Sequence, residues 1–294
     1  MSSQLILQAI IDGIMLGGVY ASLAVGQSLT FGVMRVINWA QGECLMLAMY
    51  ISYFAITLTH MDPYLTMFIT GGAMFLFGYI LQRFVFNTIM TREESRETGT
   101  ALLFTAGLAL VLSNLALILW GPTPLLATTR YQGMRFKLGE LIISVPRLIS
   151  FLIAMVCTGL LYWFLQKSES GRALRATSQN RTVARLMGIQ VEKLFCLCFG
   201  LGFSLVGIGA SLLSPFFAVY PTVGLSFSFR SFIIVVLGGR GSVEGALIAG
   251  ILVGLIEKVG GLFVYESYAQ ALTFILFVAM LLFRPNGLFG KQSE

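Results

Sequence analysis

What most constrains this chain is the recurrence of apolar runs close to twenty residues long. Nine can be read, with soft edges, at 5–28, 41–60, 64–86, 101–120, 148–166, 194–214, 228–238, 246–264 and 268–283. A helix rises 1.5 Å per residue, so about 20 residues cross the roughly 30 Å of bilayer hydrocarbon. Eight of the nine are counted as full spans. The seventh, 228–238, is too short and reads as half of a broken helix or a re-entrant piece. Composition agrees: 57% of residues are hydrophobic and 11% charged, whereas soluble domains are about a quarter charged. The expected fold class is therefore all-α, a polytopic membrane helical bundle of about eight transmembrane helices plus a half-length segment, forming one domain over 1–294. No charged-then-apolar leader with a small-residue cleavage site opens the chain, so the first apolar run is expected to be retained.

Orientation follows from lysine and arginine in the connections. Loop 167–193 carries Lys167, Arg172, Arg175, Arg181, Arg185 and Lys193; 87–100 adds Arg92 and Arg96; the tail adds Arg284 and Lys291. Arg130, Arg135, Lys137 and Arg147 in 121–147 weaken the contrast, while the connections near 61, 220 and 265 hold no basic residue. The sum places 29–40, 87–100, 167–193 and the tail in the cytoplasm and the N-terminus outside. That scheme needs 228–238 to help cross the membrane; if it dips and returns, the tail ends outside. The net charge of +6 thus reports orientation and anionic headgroups, and implies membrane lipid rather than nucleic acid as a partner. Cys44, Cys157, Cys196 and Cys198 lie in apolar surroundings with no zinc spacing to the single His60, so buried free thiols and no metal site are expected.

Two interruptions stand out. Asn38-Trp39-Ala40-Gln41-Gly42-Glu43 follows Arg35 and precedes an apolar helix. Polar groups at membrane depth are costly unless they face a cavity or a protein partner, and non-helical backbone there needs the same shelter. The plain alternative is a cytoplasmic turn with Asn38 as N-cap and Glu43 at the positive helix end. Gly238-Gly239-Arg240-Gly241-Ser242-Val243-Glu244-Gly245 is a second break of the same kind. Paired interruptions in corresponding halves point to a transport pathway at a weak internal repeat. The translocation-pathway candidates are Asn38, Trp39, Gln41, Gly42, Glu43, Gly238, Gly239, Gly241, Ser242 and Glu244. The glycine cluster misses the dinucleotide fingerprint, and no phosphate-binding loop, zincin motif or nucleophile elbow occurs, so no catalytic set is expected and any ATP is bound by another chain. Small residues recur four apart at Gly13, Gly17 and Ala21 and at Ala246, Gly250 and Gly254; such ridges let helices approach closely, within one chain more often than between subunits.

A third stretch, Glu169 to Ile189, is amphipathic and basic. Asn180 can cap a short helix that Gly188 ends. Ala184 and Met187 would share one side with Val183 alongside, and Arg181 and Arg185 another. This is either a basic loop on anionic lipid or a short helix presenting an apolar and cationic knob to a soluble partner.

Together, "DGIMLGGVYASLAVG…FGVMRVINWAQGE", "GRALRATSQNRTVARLMGI", "VVLGGRGSVEGALIAGILVGLIE" and the tail "RPNGLFG" resemble permease subunits of branched-chain amino acid ABC importers, the LivH type, in order from about residue 10 to 290. The resemblance implies a bacterial inner-membrane permease without catalytic chemistry of its own. It also implies a coupling helix within 170–189, with Gly171, Arg172, Arg175, Asn180, Arg181, Ala184, Arg185, Met187 and Gly188 as ATPase-coupling candidates. The implied partners are a second, different permease chain, two ATPase subunits that bind ATP and Mg, and a periplasmic binding protein. This chain departs from the family's usual Asn-Phe-Ala-His-Gly-Glu at Trp39 and Gln41, and Ala48-Met49 stands for a usual Gly-Ala. Gln41 keeps hydrogen bonding but not a group titrating near neutral pH. Relatives carrying urea, short amides or aromatic acids keep the substrate open. A different class, an ion-gradient-driven transporter or channel, would favour intramembrane carboxylates, with Asp12, Glu43, Glu244 and Glu257 as candidates.

Overall fold

The computed structural model describes residues 3–34, 38–90, 97–127, 129, 131, 133–138, 141–264, 266–284 and 287–289. Arg92, Arg96, Arg130 and Lys291, which the orientation argument used, and Arg35 before the first break lie outside the described residues. In order, the elements are α1 (Ser3–Met34), α2 (Gln41–Thr59), α3 (Thr66–Leu81), a π-helical turn (Gln82–Phe86), α4 (Asn87–Met90), α5 (Glu97–Trp120), β1 (Arg135–Leu138), β2 (Leu141–Ser144), α6 (Val145–Lys167), α7 (Glu169–Gln179), α8 (Arg181–Leu186), α9 (Val191–Leu213), α10 (Val223–Gly238), α11 (Val243–Gly260) and α12 (Glu266–Phe283). Six helices, among the described residues, are long and apolar enough to cross a membrane. The protein is a polytopic helical membrane bundle, with α10, α11 and α12 as shorter apolar helices of 16, 18 and 18 residues.

Three features differ from the hydropathy reading. Helix α1 runs to Met34 rather than 28, so all of 29–34 is helix and not connection. Its late glycines are contact points, Gly26 against Gly202 and Gly32 against Gly241. The short seventh segment is a 16-residue helix starting at Val223. Ser226, Ser228, Arg230 and Ser231 lower its local hydropathy, yet Ser228 and Ser231 are buried and Arg230 is ion-paired. At about 24 Å it still falls short of the hydrocarbon thickness. Between α5 and α6 lies an antiparallel hairpin, Arg135 opposite Ser144, with no counterpart in the sequence reading. Gln8 pins it to α1 through both the N–H and the C=O of Ile142, and Asp12 pairs with Arg147 at 3.1 Å.

The core sits around α1, α9 and α11. The two small-residue ridges interlock: a Cβ on Gly17 would lie 2.7 Å from Ile251 Cα, and one on Gly250 would lie 2.6 Å from Ala21 Cα. Backbone-to-backbone packing of this kind replaces the hydrophobic drive that lipid cannot supply. All four cysteines are free thiols, three buried and Cys157 half-buried. The outward faces of α3, α5 and α6 are large and apolar, as lipid requires.

Candidate functional site

The first break is buried. Asn38, Gln41 and Glu43 are each at most 4% exposed. The Asn38 side chain accepts from the Ala40 N–H at 3.0 Å, turning the chain just before α2. Asn38 therefore does not cap α2: Ala40 holds that position without a side-chain bond. The Gln27 amide donates to the Asn38 carbonyl, and the Gln41 amide donates to the Leu23 carbonyl at 3.0 Å. Leu23 lies eleven residues before the end of α1 at Met34, about 16 Å back along the helix. So α2 begins alongside the second half of α1 and not beyond its end. The Gln41 bond needs one donor, which an imidazole N–H in the family's usual residue would also supply.

Helix α10 closes the other side. Gly42 packs on the Gly224 carbonyl, where any side chain would collide. The Gly42 N–H donates to the Ser228 hydroxyl at 2.9 Å, and that hydroxyl donates to the Trp39 carbonyl at 3.0 Å. Trp39 stacks on Phe232 and meets Phe229 edge-on, both at 5.8 Å. Three polar atoms here are buried without a hydrogen-bond partner: Gln27 Oε1, Asn38 Nδ2 and Glu43 Oε2. Such buried atoms are unfavourable unless water or a ligand reaches them in some state of the protein.

The second break caps α11. The Ser242 hydroxyl accepts from the Gly245 N–H at 3.0 Å. Gly239 and Gly241 turn with φ of +99° and +84°, a region that L side chains rarely adopt. Gly238 packs on Gly245, and Gly241 touches Gly32 near the end of α1. Ser28 donates to the Ser242 carbonyl at 3.2 Å. The two breaks are thus joined through α1 and α10, the second lying nearer the end of α1. Glu244 is exposed and accepts from the Tyr162 hydroxyl at 2.6 Å.

The basic stretch folds as two short helices. Ser168 caps α7 by accepting from the Gly171 N–H, and Gly171 packs so closely on Leu165 that a Cβ would clash. Arg175 reaches back to the Leu165 carbonyl at 2.9 Å, and Arg172 lies 3.9 Å from Glu169. Asn180 caps α8 through the Val183 N–H at 3.0 Å, and Gly188 follows with φ +82°. The faces differ from the sequence reading. Ala184 is buried, while Val183, Leu186 and Met187 are 53%, 81% and 78% exposed. Arg181 and Arg185 do not share a free face either. Arg181 donates to the Met34 carbonyl at 2.5 Å and stands over the Phe195 ring, whereas Arg185 pairs with Glu192 at 2.7 Å. A six-residue helix packed on a larger body hides whatever side the body touches, and a helical wheel cannot say which.

The structure adds a charged group that hydropathy passed over. Arg230 of α10 and Glu257 of α11 form a two-pronged ion pair, 2.7 and 3.3 Å, with the guanidinium over the rings of Tyr20 and Phe227 at 5.6 and 5.5 Å. Among the four carboxylates weighed for an ion-driven mechanism, Asp12 and Glu257 are ion-paired and Glu244 accepts a hydrogen bond, while Glu43 Oε2 is buried without a hydrogen-bond partner. Among the described residues no three His, Cys, Asp or Glu side chains come together to hold a metal.

Comparison with known proteins completes the description. The model of the family described as branched-chain amino acid transport system / permease component matches residues 9–281. The chain is 29% identical to the high-affinity branched-chain amino acid transport system permease protein BraD of Pseudomonas aeruginosa and 26% identical to LivH of Escherichia coli, each over 98% of this chain and 96% of the relative. A probable branched-chain amino acid transport permease protein of Methanocaldococcus jannaschii is 28% identical over 91% of this chain and 87% of its own length.

Proposed function

This chain belongs to the family of branched-chain amino acid transport system permease components, and on that premise we infer that it is the membrane subunit of an ATP-driven importer for branched-chain or other hydrophobic amino acids. It works by alternating access in a bacterial inner membrane, with 167–193 and the tail in the cytoplasm. A second permease chain, two ATPase subunits carrying ATP and Mg, and a periplasmic binding protein complete the machine. The observation that carries the coupling role is the knob on α8: three apolar side chains, Val183, Leu186 and Met187, held outward by caps at both ends of the helix. Exposed apolar side chains on a rigid short helix suit a groove on a soluble partner. The ATP-bound partner must bind one permease state better than the other to drive the cycle.

The coupling role is tested at exposed positions, so folding is spared. Leu186→Asp with Met187→Asp should cut ATPase capture by the purified permease and abolish ATP-dependent uptake, with thermal stability unchanged. Full uptake in that variant would remove α8 as the contact. Arg181→Glu, by contrast, should destabilise the chain itself, because its guanidinium serves α1 and Phe195.

The buried polar atoms around Asn38 and Glu43 support a segment beside the translocation path. Asn38→Leu and the near-isosteric Glu43→Gln should each lower uptake roughly tenfold, the scale of one lost buried polar interaction, while ATPase capture stays intact. Wild-type uptake in both would return the segment to a purely structural turn. Uptake that survives ATP depletion but collapses with the proton or sodium gradient would instead select an ion-driven mechanism.

A further inference from the structure

A cleft of about 670 Å³ opens where the end of α1, the α6–α7 elbow, the α10–α11 connection and Phe289 meet. Its floor is apolar, from Leu29, Val33, Leu174 and Phe289. Its rim carries two arginines. Arg240 is exposed, over the Phe31 ring at 5.9 Å, and no carboxylate pairs with it among the described residues. Arg175 spends its donors on neutral acceptors only, the Leu165 and Gln166 carbonyls and the Gln166 side chain. The single acid among the described lining residues, Glu244, is engaged by Tyr162. Among the described residues the rim therefore holds one more positive than negative charge, above an apolar floor.

Helix α6, which gives Tyr162, Leu165 and Gln166 to the cleft, is apolar on its outer face. Along α6, Leu152, Val156 and Leu160 are 53% to 60% exposed at four-residue spacing, and Trp163 follows at 63%. Trp163 beside Tyr162 is the pairing expected at headgroup level, where amphipathic rings collect. Gly159, one turn before Tyr162, is exposed and has no atom within 4 Å of where a side chain would begin, so the outer face of α6 is open just before the cleft. Basic pockets between spans at the membrane surface are suited to anionic lipid headgroups.

We propose that this cleft is a binding site for one anionic phospholipid, its phosphate held between Arg240 and Arg175 and an acyl chain leaving past Gly159 along α6. A zwitterionic lipid would bring its own cation towards the same arginines and bind less well. Because the lipid bridges the α6–α7 elbow and the start of α11, it would brace the base of the two short helices.

The test is native mass spectrometry of the full chain titrated with phosphatidylglycerol or phosphatidylcholine of matched acyl length. One tightly held phosphatidylglycerol is expected, preferred over phosphatidylcholine. Arg240→Gln should weaken it roughly fivefold, the scale of one interfacial charge. Arg172→Gln, outside the cleft, should leave it unchanged. Gly159→Leu should weaken the lipid but not the displacement of a soluble glycerophosphate. Equal loss in the Arg240 and Arg172 variants would mean diffuse surface attraction and overturn the site. Full competition by inorganic phosphate, with Gly159→Leu silent, would make it a free-anion site and reject the lipid.

Discussion

Gly250→Leu is expected to prevent accumulation of folded protein. An added side chain at Gly250 would start 2.6 Å from Ala21 Cα and 2.8 Å from Ala21 N, and at Gly17 it would start 2.7 Å from Ile251 Cα. Both obstacles are backbone, so no rotamer change relieves them and α1 must move off α11. In lipid, separated helices lose close packing without any compensating hydrophobic gain. Overpacking a well-filled site costs about 1–3 kcal/mol even where side chains can yield, and here they cannot. Gly17→Leu should behave alike. Gly72→Leu and Gly107→Leu, where nothing lies within 4 Å, serve as controls and should keep wild-type melting. Monodisperse yield and thermal stability in detergent read the difference. If all four behaved alike, the interlocked ridge would not be what holds α1 to α11.

The ridges show what a sequence of this kind makes legible. Glycines four apart announce a close helix contact because only small side chains permit it, but which ridge meets which is a property of the folded bundle. Helix positions in the first six apolar runs followed from length and hydropathy, since lipid allows few alternatives. The same rule failed at α10. A hydropathy window treats Ser228 and Arg230 as interruptions, whereas in the structure Ser228 knits Trp39 to Gly42 and Arg230 finds Glu257. Satisfied polar groups on the inner face of a helix look like breaks until their partners, 186 and 27 residues away for Gly42 and Glu257, are known. The setting of Asn38 was likewise hidden: the residues themselves fit a capped turn, and the bonds from Gln27 to Asn38 and from Gln41 to Leu23 place it alongside the second half of α1.

Glu257→Leu and Arg230→Met are each expected to be severely destabilising, and the double variant far less so. Both side chains are about 15% exposed and meet through two bonds on facing helices. Removing one leaves the other charged, poorly solvated and without its partner, a loss of about 3–5 kcal/mol in buried pairs. Removing both also takes away the desolvation cost, so a stability cycle over the four proteins should show strong positive coupling. Uptake separates structure from function. A pair that serves packing alone would let the double variant transport at near wild-type rate. Charges within a membrane-spanning segment are retained chiefly where a pathway or a moving contact uses them. Arg230 lies between the α10 residues that hold the first break and the glycines of the second, so any movement of α10 must carry the pair with it or part it. The expected result is a double variant that recovers thermal stability and ATPase capture while its uptake remains low.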